Sequence, residues 1–514
     1  MFEILLTVTF GTASFLLLVL LFSRRRREGE PPLIKGWIPF LGKTLEYRKD
    51  SYKFLKQLQK CHGDVFTVLI AGKYVTFVMN PLLYPAVIKH GKQLDFHEFS
   101  RAAASKTFGY PYLHPGRFPG LSEKIQRSFL LLQGSPLNSL ALKMMGNLQL
   151  VFQQDFQSSH VVRGEYDWQQ EGLYEFCERV MFKATFLTLY GQPPNTNVYT
   201  HLHGERWIDE LRDNFRKFDS MFPLLIAKIP IGLLGRTKYI REQLIRFFHP
   251  QKVAKWTAPS EFIKTRMEFF QQYDTLKDLD IAAHHFAILW ASVGNTIPAC
   301  FWCLYHLLSS PQAFSVVQEE IMGMFGEMGP ESILTYDKLT PEHFEKLIYL
   351  ESAINESLRL SSVSMNIRAV QENFCLHLNP HCSVGVRKGD IVTLYPQSTH
   401  LDPDIYPNPM QYQFDRFVEN GKLKTEFYKG GQKIRYYHMP FGSGATMCPG
   451  RFFAINELKQ FLCITLLMYD MQLPAGQQQA TIDKSRSGLG IIPPANRIYF
   501  RYRVKMNSMQ RQGL

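Results

Sequence analysis

The chain has 514 residues, 45% of them hydrophobic, a formal net charge of +13 and eight cysteines. That length supports a large core without a disulfide framework, and the scattered cysteines point to a reducing compartment. A nucleic-acid partner is not expected: there is no compact Lys/Arg stripe interleaved with aromatics, no zinc-finger spacing and no RNP signature.

The first element is an anchor. Ile4 to Phe22 gives 19 predominantly apolar residues without a charge, about 28 Å as a helix, close to the hydrocarbon thickness of a bilayer. Arg24 to Arg27 follow at once, which places the rest of the chain on the cytoplasmic side. A cleavable signal peptide fits less well, because the run is long and the charges follow it. Residues 1–23 are therefore expected to be a single transmembrane anchor. Residues 24–42, basic and rich in Pro and Gly, form a stiff hinge, and residues 43–508 one catalytic unit without repeats or a linker.

Further along, Met221–Ala227 and Ile229–Leu234 form an apolar stretch broken by two prolines. It reads either as core or as a segment that dips into the bilayer. Ile281 to Leu308 reads as a long apolar helix, and Pro298 within it predicts a kink, since the ring clashes with the carbonyl of Gly294. The kink would open a polar notch beside Asn295 and Thr296, suited to positioning water and delivering protons. The plainer reading has Thr296 bonding back to its i−4 carbonyl. Cys300 and Cys303 lie in the same apolar run and read as core rather than as a metal or redox pair.

Lys346 to Leu360 has helical periodicity and carries Glu356 and Arg359 three apart, on one face. A carboxylate and a guanidinium on so apolar a helix need further partners. Arg416, between Phe414 and Phe417, offers one. The chain then reads Pro440-Phe441-Gly442-Ser443-Gly444-Ala445-Thr446-Met447-Cys448-Pro449-Gly450 before an apolar helix. Its glycines permit a tight turn against something flat, and a helix start favours a thiolate at Cys448. The P-loop and dinucleotide alternatives fail for lack of Gly-Lys-Ser/Thr and of the third glycine.

These three motifs, in this order, resemble those of the cytochrome P-450 superfamily. The resemblance implies a mainly α fold with small β-sheets, and haem b whose iron takes Cys448 as its axial ligand. Phe441 and Gly442 would lie in the haem loop, Arg368 would hold a propionate, and Glu356, Arg359 and Arg416 would form a structural charge cluster. Electrons would come from NADPH through NADPH-cytochrome P-450 reductase, with Lys429, Lys433 and Arg435 as candidate docking charges. The chain departs from the superfamily pattern in three places. Asn295 stands where an acid usually precedes the threonine, Thr446 stands where many relatives carry an arginine, and the Trp-x-x-x-Arg of an earlier helix is missing.

Leu289-Trp290-Ala291-Ser292, Asn295-Thr296-Ile297-Pro298, Glu356 to Ser362, Tyr395-Pro396-Gln397, Tyr436-Tyr437-His438-Met439-Pro440 and Gly488 to Pro494 are similar to the sterol hydroxylase branch. That branch holds the sterol 7α- and 12α-hydroxylases and prostacyclin synthase. The similarity implies a monooxygenase acting on cholesterol at the 7α position, at the entry to bile acids. An oxysterol 7α- or sterol 12α-hydroxylase, or a reductase-independent isomerase, is the alternative, although Phe441 replaces the Trp that 12α-hydroxylases tend to have. Thr296 and Asn295 would be catalytic, and Trp290, Ser292 and Asn295 would line the sterol cavity. The implied location is the endoplasmic reticulum membrane, single-pass, with the catalytic domain in the cytosol.

Overall fold

The computed structural model describes residues 24–162, 168–194, 206–326 and 341–505, with a few isolated positions besides. The expected anchor, residues 1–23, lies almost wholly outside the described residues, as do residues 506–508 of the expected catalytic unit.

The described chain is mainly helical with small sheets. Leu173–Tyr190 has 14 of its 18 residues buried, and only a narrow stripe that includes Glu175, Arg179 and Lys183 reaches toward water. It packs against Ser135–Val162 and against the second half of the central helix. The central helix runs from Asp278 to Val293 and from Thr296 to Ser309, interrupted at Gly294–Asn295. It is long and apolar enough to cross a membrane, yet it is mostly buried within the protein. The break lies one turn before Pro298, where the missing N–H and the ring's clash with residue 294 would act.

The largest sheet has six strands. Val65–Ile70 pairs antiparallel with Lys73–Val78 across a tight turn, with Ala71 and Gly72 at φ +46° and +74°, the left-handed pair that a two-residue hairpin prefers. Lys73–Val78 continues parallel to Ile391–Leu394, which pairs antiparallel with Asn366–Val370. This register sets Arg368 opposite Val392 and carries Arg368 to the Cys448 loop. Ile348–Ser361 and Arg451–Met468 supply the remaining walls of the site.

Candidate active site

The Cys448 loop closes on itself. The Cys448 N–H donates to the Phe441 carbonyl at 2.8 Å, and a single 3-10 turn, Gly444–Thr446, lies between them. Gly442 and Gly444 adopt φ of +81° and +63°. A Cβ on Gly444 would stand 2.6 Å from Ile88 Cγ2, and one on Gly442 would stand 3.3 Å from Asn366 Oδ1, so the loop has no room for side chains there. The half-buried sulfur lies three residues before the helix that starts at Arg451. Burial pushes the Cys448 thiol up, against the opposing pull of the Gly450 backbone and of Arg451.

Beneath this loop the three predicted charges meet. Arg359 donates to both oxygens of Glu356, at 2.7 and 2.8 Å, and Arg416 Nε donates to Oε1 at 3.0 Å. Glu356 is fully buried and Arg359 nearly so. The remaining donors of Arg359 go to the carbonyls of His400 and of Pro409, the latter at 2.8 Å. Those of Arg416 go to Pro407 at 2.7 Å and Gln411 at 3.2 Å. The buried charges are thus hydrogen-bonded nearly throughout, which makes them tolerable. His400 Nε2 accepts from the Met439 N–H at 3.0 Å, so the cluster is tied to the entrance of the Cys448 loop two residues before Phe441.

Arg368 reaches the same loop from the sheet. It donates to Thr446 Oγ1 at 2.7 Å and to the Ser443 carbonyl at 3.3 Å. No carboxylate is bonded to it among the described residues, and burial pulls its pKa down to about 10, with Asp95 opposing. Thr446, where relatives carry an arginine, here accepts from one. Asn366 Oδ1 lies 3.2 Å from the Ser443 hydroxyl, while its buried Nδ2 has no partner. An under-compensated guanidinium and an orphaned amide beside the loop are what an acidic, flat cofactor would satisfy.

On the central helix the expected notch is differently filled. Thr296 lies 2.9 Å from the Ser292 carbonyl and 2.9 Å from Glu457 Oε1, and Thr185 donates to Glu457 Oε2 at 3.2 Å. Burial pushes the Glu457 carboxyl up to about 8. A carboxyl raised to about 8 holds its proton at neutral pH and then donates to Thr296 Oγ1, whose own O–H donates to the Ser292 carbonyl. The i−4 back-bond is therefore present, and the hydroxyl faces Arg451–Met468 rather than an open notch. Ser292 bonds back to Ile288 and Leu289. Trp290 stacks on Phe222 at 3.9 Å and donates to Asp219 at 2.8 Å, and Asp219 is also paired with Arg486 at 2.9 Å. Asn295 Oδ1 accepts from the Ile491 N–H at 3.0 Å, and its Nδ2 makes no hydrogen bond among the described residues. Between Asp280 and Leu308 of this helix Ala291 is the one exposed residue, and it marks where its face opens.

The cytochrome P450 family model matches residues 31–500. The chain belongs to the cytochrome P450 family. It is 43% identical to "Cytochrome P450 7A1" of Sus scrofa, over 95% of this chain and 96% of that one. It is 41% identical to "Cytochrome P450 7B1" of Mus musculus, over 95% and 93%. It is also 41% identical to "Cholesterol 7-alpha-monooxygenase" of Cricetulus griseus, over 94% and 96%. As a member of this P450 family it is an oxidoreductase, a monooxygenase whose cofactor is haem with thiolate-ligated iron. The site fits that group: Gly442 and Gly444 keep the loop free of side chains where a Cβ would meet Asn366 or Ile88, and Arg368 and the unpartnered Asn366 Nδ2 offer donors beside it.

Three residues that the sequence reading passed over belong to the site. Glu457 is a lone acid in the apolar helix after Cys448, a signal in itself. Asp219 and Asn366 carry no local signal, because their partners are distant in sequence. Of the candidate docking charges, Lys429 is paired with Asp402 at 2.6 Å and Lys433 with Glu426. Arg435 lies over the Tyr436 ring, which leaves it as the candidate without a carboxylate partner among the described residues.

Proposed function

We propose that this P450 hydroxylates cholesterol at the 7α position, with electrons from NADPH delivered by NADPH-cytochrome P-450 reductase. The observation that carries the reading is the 41% identity, over 94% of the chain, to a protein named cholesterol 7-alpha-monooxygenase, joined to a site built to hold haem on Cys448. Bound haem with a thiolate ligand supplies activation of dioxygen. The chain's own residues do the rest. Cys448 ligates the iron, Phe441 and Gly442 shape the loop, and Arg368 with Asn366 holds the acidic edge of the cofactor. Glu356, Arg359 and Arg416 keep the loop in place.

Asn295 is the group that faces substrate. Its carbonyl oxygen is taken by Ile491, so the free Nδ2 donates to the sterol or to an ordered water beside it, one of the few placed polar groups that orient a ligand in an apolar pocket. Trp290 and Ser292 shape the wall without offering free donors. Thr296 acts through Glu457, which holds a proton next to it, and so supports the break in the helix. Support for an oxygenase over an isomerase thus comes from the relatives and not from a free threonine hydroxyl.

The deciding experiment is turnover of the full-length protein with reductase and NADPH on cholesterol, 25-hydroxycholesterol and 7α-hydroxycholest-4-en-3-one. A 7α-hydroxylated product from cholesterol is expected. Preference for 25-hydroxycholesterol, a 12α product, or turnover without NADPH would replace this reading with the corresponding alternative.

The chain is further proposed to sit in the endoplasmic reticulum membrane through residues 1–23, with residues 43–508 as its cytosolic catalytic unit. Ile229 and Leu233 are exposed at 36% and 76%, which fits contact of this segment with lipid. Phe222 and Leu225 are buried, so only part of the segment is available. In a variant lacking residues 1–23, Leu233→Glu should lower partition onto liposomes; unchanged partition would remove the segment from the membrane contact.

A further inference from the structure

The turn that carries Gly490 is held from two sides. On one side lie residues 361–363, at the end of the helix Ile348–Ser361. The Val363 N–H donates to the Gly490 carbonyl at 3.0 Å, the Gly488 N–H to the Val363 carbonyl at 2.8 Å and the Ile492 N–H to the Ser361 carbonyl at 3.2 Å. On the other side lies the central helix. Trp302 donates to the Ile492 carbonyl at 2.6 Å, and Asn295 Oδ1 accepts from the Ile491 N–H at 3.0 Å. These two side chains are about two helical turns apart and so grip the turn from one face.

Gly490 sits where the two sets of bonds meet. Its φ is +102°, a value that favours glycine. A Cβ there would stand 2.3 Å from Asn295 Oδ1 and 3.2 Å from its Cγ. The backbone at 490 cannot retreat, because its carbonyl is tied to Val363 and Ile492 is tied to Ser361 and Trp302. The short side chain of Asn295, on a half-buried position, is the group that must yield. Gly488 makes the contrast within the same turn. Its φ is +95°, yet a Cβ there would only touch Met365 Cγ, at 3.8 Å. Both glycines serve the backbone, but it is Gly490 whose missing side chain is filled by the amide.

That contact decides where the amide points. The Ile491 N–H needs an acceptor, so Oδ1 and not Nδ2 is turned toward the loop. With Oδ1 seated against Gly490, the plane of the amide is fixed and Nδ2 is left as the donor on the far side. A methyl group at 490 would push Oδ1 away, break the bond to Ile491 and re-aim the donor. The Cys448 loop would be untouched.

We propose that Gly490 is a positioning residue for the substrate: the space left by its absent side chain lets Asn295 hold Nδ2 aimed at the sterol. Residue 490 then sets specificity through Asn295 without itself touching the reacting atoms. The proposal rests on the reading of Asn295 as the group that faces substrate.

The test uses the haem-loaded, full-length protein and four variants: Gly490→Ala, Asn295→Ala, the two combined, and Gly488→Ala. Each is titrated with cholesterol and with 25-hydroxycholesterol, and binding is read from the shift of the haem Soret band. Backbone strain at 490 is the same with or without the amide, so the combined variant separates strain from the contact. Gly490→Ala should weaken binding of the tighter sterol about tenfold, as Asn295→Ala does. In the Asn295→Ala background the same change should add less than about twofold. Gly488→Ala should stay within about twofold of wild type. A Gly490→Ala protein that binds sterol as wild type does, beside a weakened Asn295→Ala, would overturn the proposal. So would a loss that persists in full without the amide, or an equal loss in Gly488→Ala. Wild-type affinity in Asn295→Ala would instead sink the reading of Asn295, and this proposal with it. If Gly490→Ala fails to take up haem, the combined variant should recover it, because the colliding oxygen is gone; a combined variant that stays empty is fatal.

Discussion

The two sides of the site are built on opposite plans. On the Cys448 side, the charge cluster is tied down by backbone: Arg359 and Arg416 brace carbonyls of residues 400–411, and His400 holds Met439. On the central-helix side, the polar side chains are consumed by distant side chains and loops, Thr296 by Glu457, Trp290 by Asp219 and Asn295 by Ile491. The first plan makes a rigid seat whose residues can be exchanged only by dismantling it. The second makes a roof whose shape depends on which remote segments come together, and it leaves one free donor, Asn295 Nδ2. Rigidity is concentrated where the cofactor belongs, and selectivity where three segments meet.

The comparison can be broken most directly at the seat. Cys448→Ala should abolish turnover and remove the thiolate signature from the reduced carbon monoxide difference spectrum; an unaltered spectrum would move the ligand elsewhere. Next, Glu356→Ala strands two buried arginines and should cost about 3–5 kcal/mol, read from urea unfolding and from a lower fraction of haem-loaded protein. A loss under about 1 kcal/mol would reduce the cluster to the rank of a surface pair.

On the roof, Glu457 gives a pH test with a defined sign. Burial raises its carboxyl to about 8 in the folded protein, from an ordinary value of about 4.5. A group whose folded pKa is raised binds its proton more tightly when folded, so its contribution is fully present below the unfolded pKa. It declines as pH rises toward the folded pKa and levels off above it. Glu457→Gln removes this dependence. Relative to the variant, the wild type should lose about 2 kcal/mol of stability between pH 6 and 8; parallel curves would mean Glu457 is ionised in the fold. The smallest effect is expected at Asn295. Asn295→Leu loses the bond to Ile491 and the free donor, and should weaken sterol binding by about 1–2 kcal/mol with haem content intact. Asn295→Asp retains the acceptor for Ile491 but not the donor. Sterol affinity equal to wild type in Asn295→Asp would show that only the loop contact matters.

How much of this was legible in sequence follows the same division. The Glu356–Arg359 pair was readable because its two members are one helical turn apart, and Arg416 and Cys448 were readable by order along the chain. Arg368 was placed by resemblance, and the structure brings it to Thr446. What escaped were contacts between residues far apart in sequence: Glu457 is 161 positions from Thr296, and Asp219 is 71 from Trp290. Periodicity reports which face of a helix is buried, not which foreign side chain meets it. The break at Gly294–Asn295 was anticipated from Pro298. The proline did open the helix, and the hydroxyl then found a partner across the core.

The junction of Trp290, Asp219 and Arg486 has one more consequence. Three segments that would otherwise vary freely are made into a single inherited unit, because Asp219 serves the indole and the guanidinium at once. A change at 219 alone strands both, whereas simultaneous replacement of all three by apolar residues could leave the packing whole. Chimeras of this chain with its relatives should therefore exchange residues 206–226, 278–293 and 484–494 together. A swap of only one of these segments should cost folding yield out of proportion to the number of positions altered.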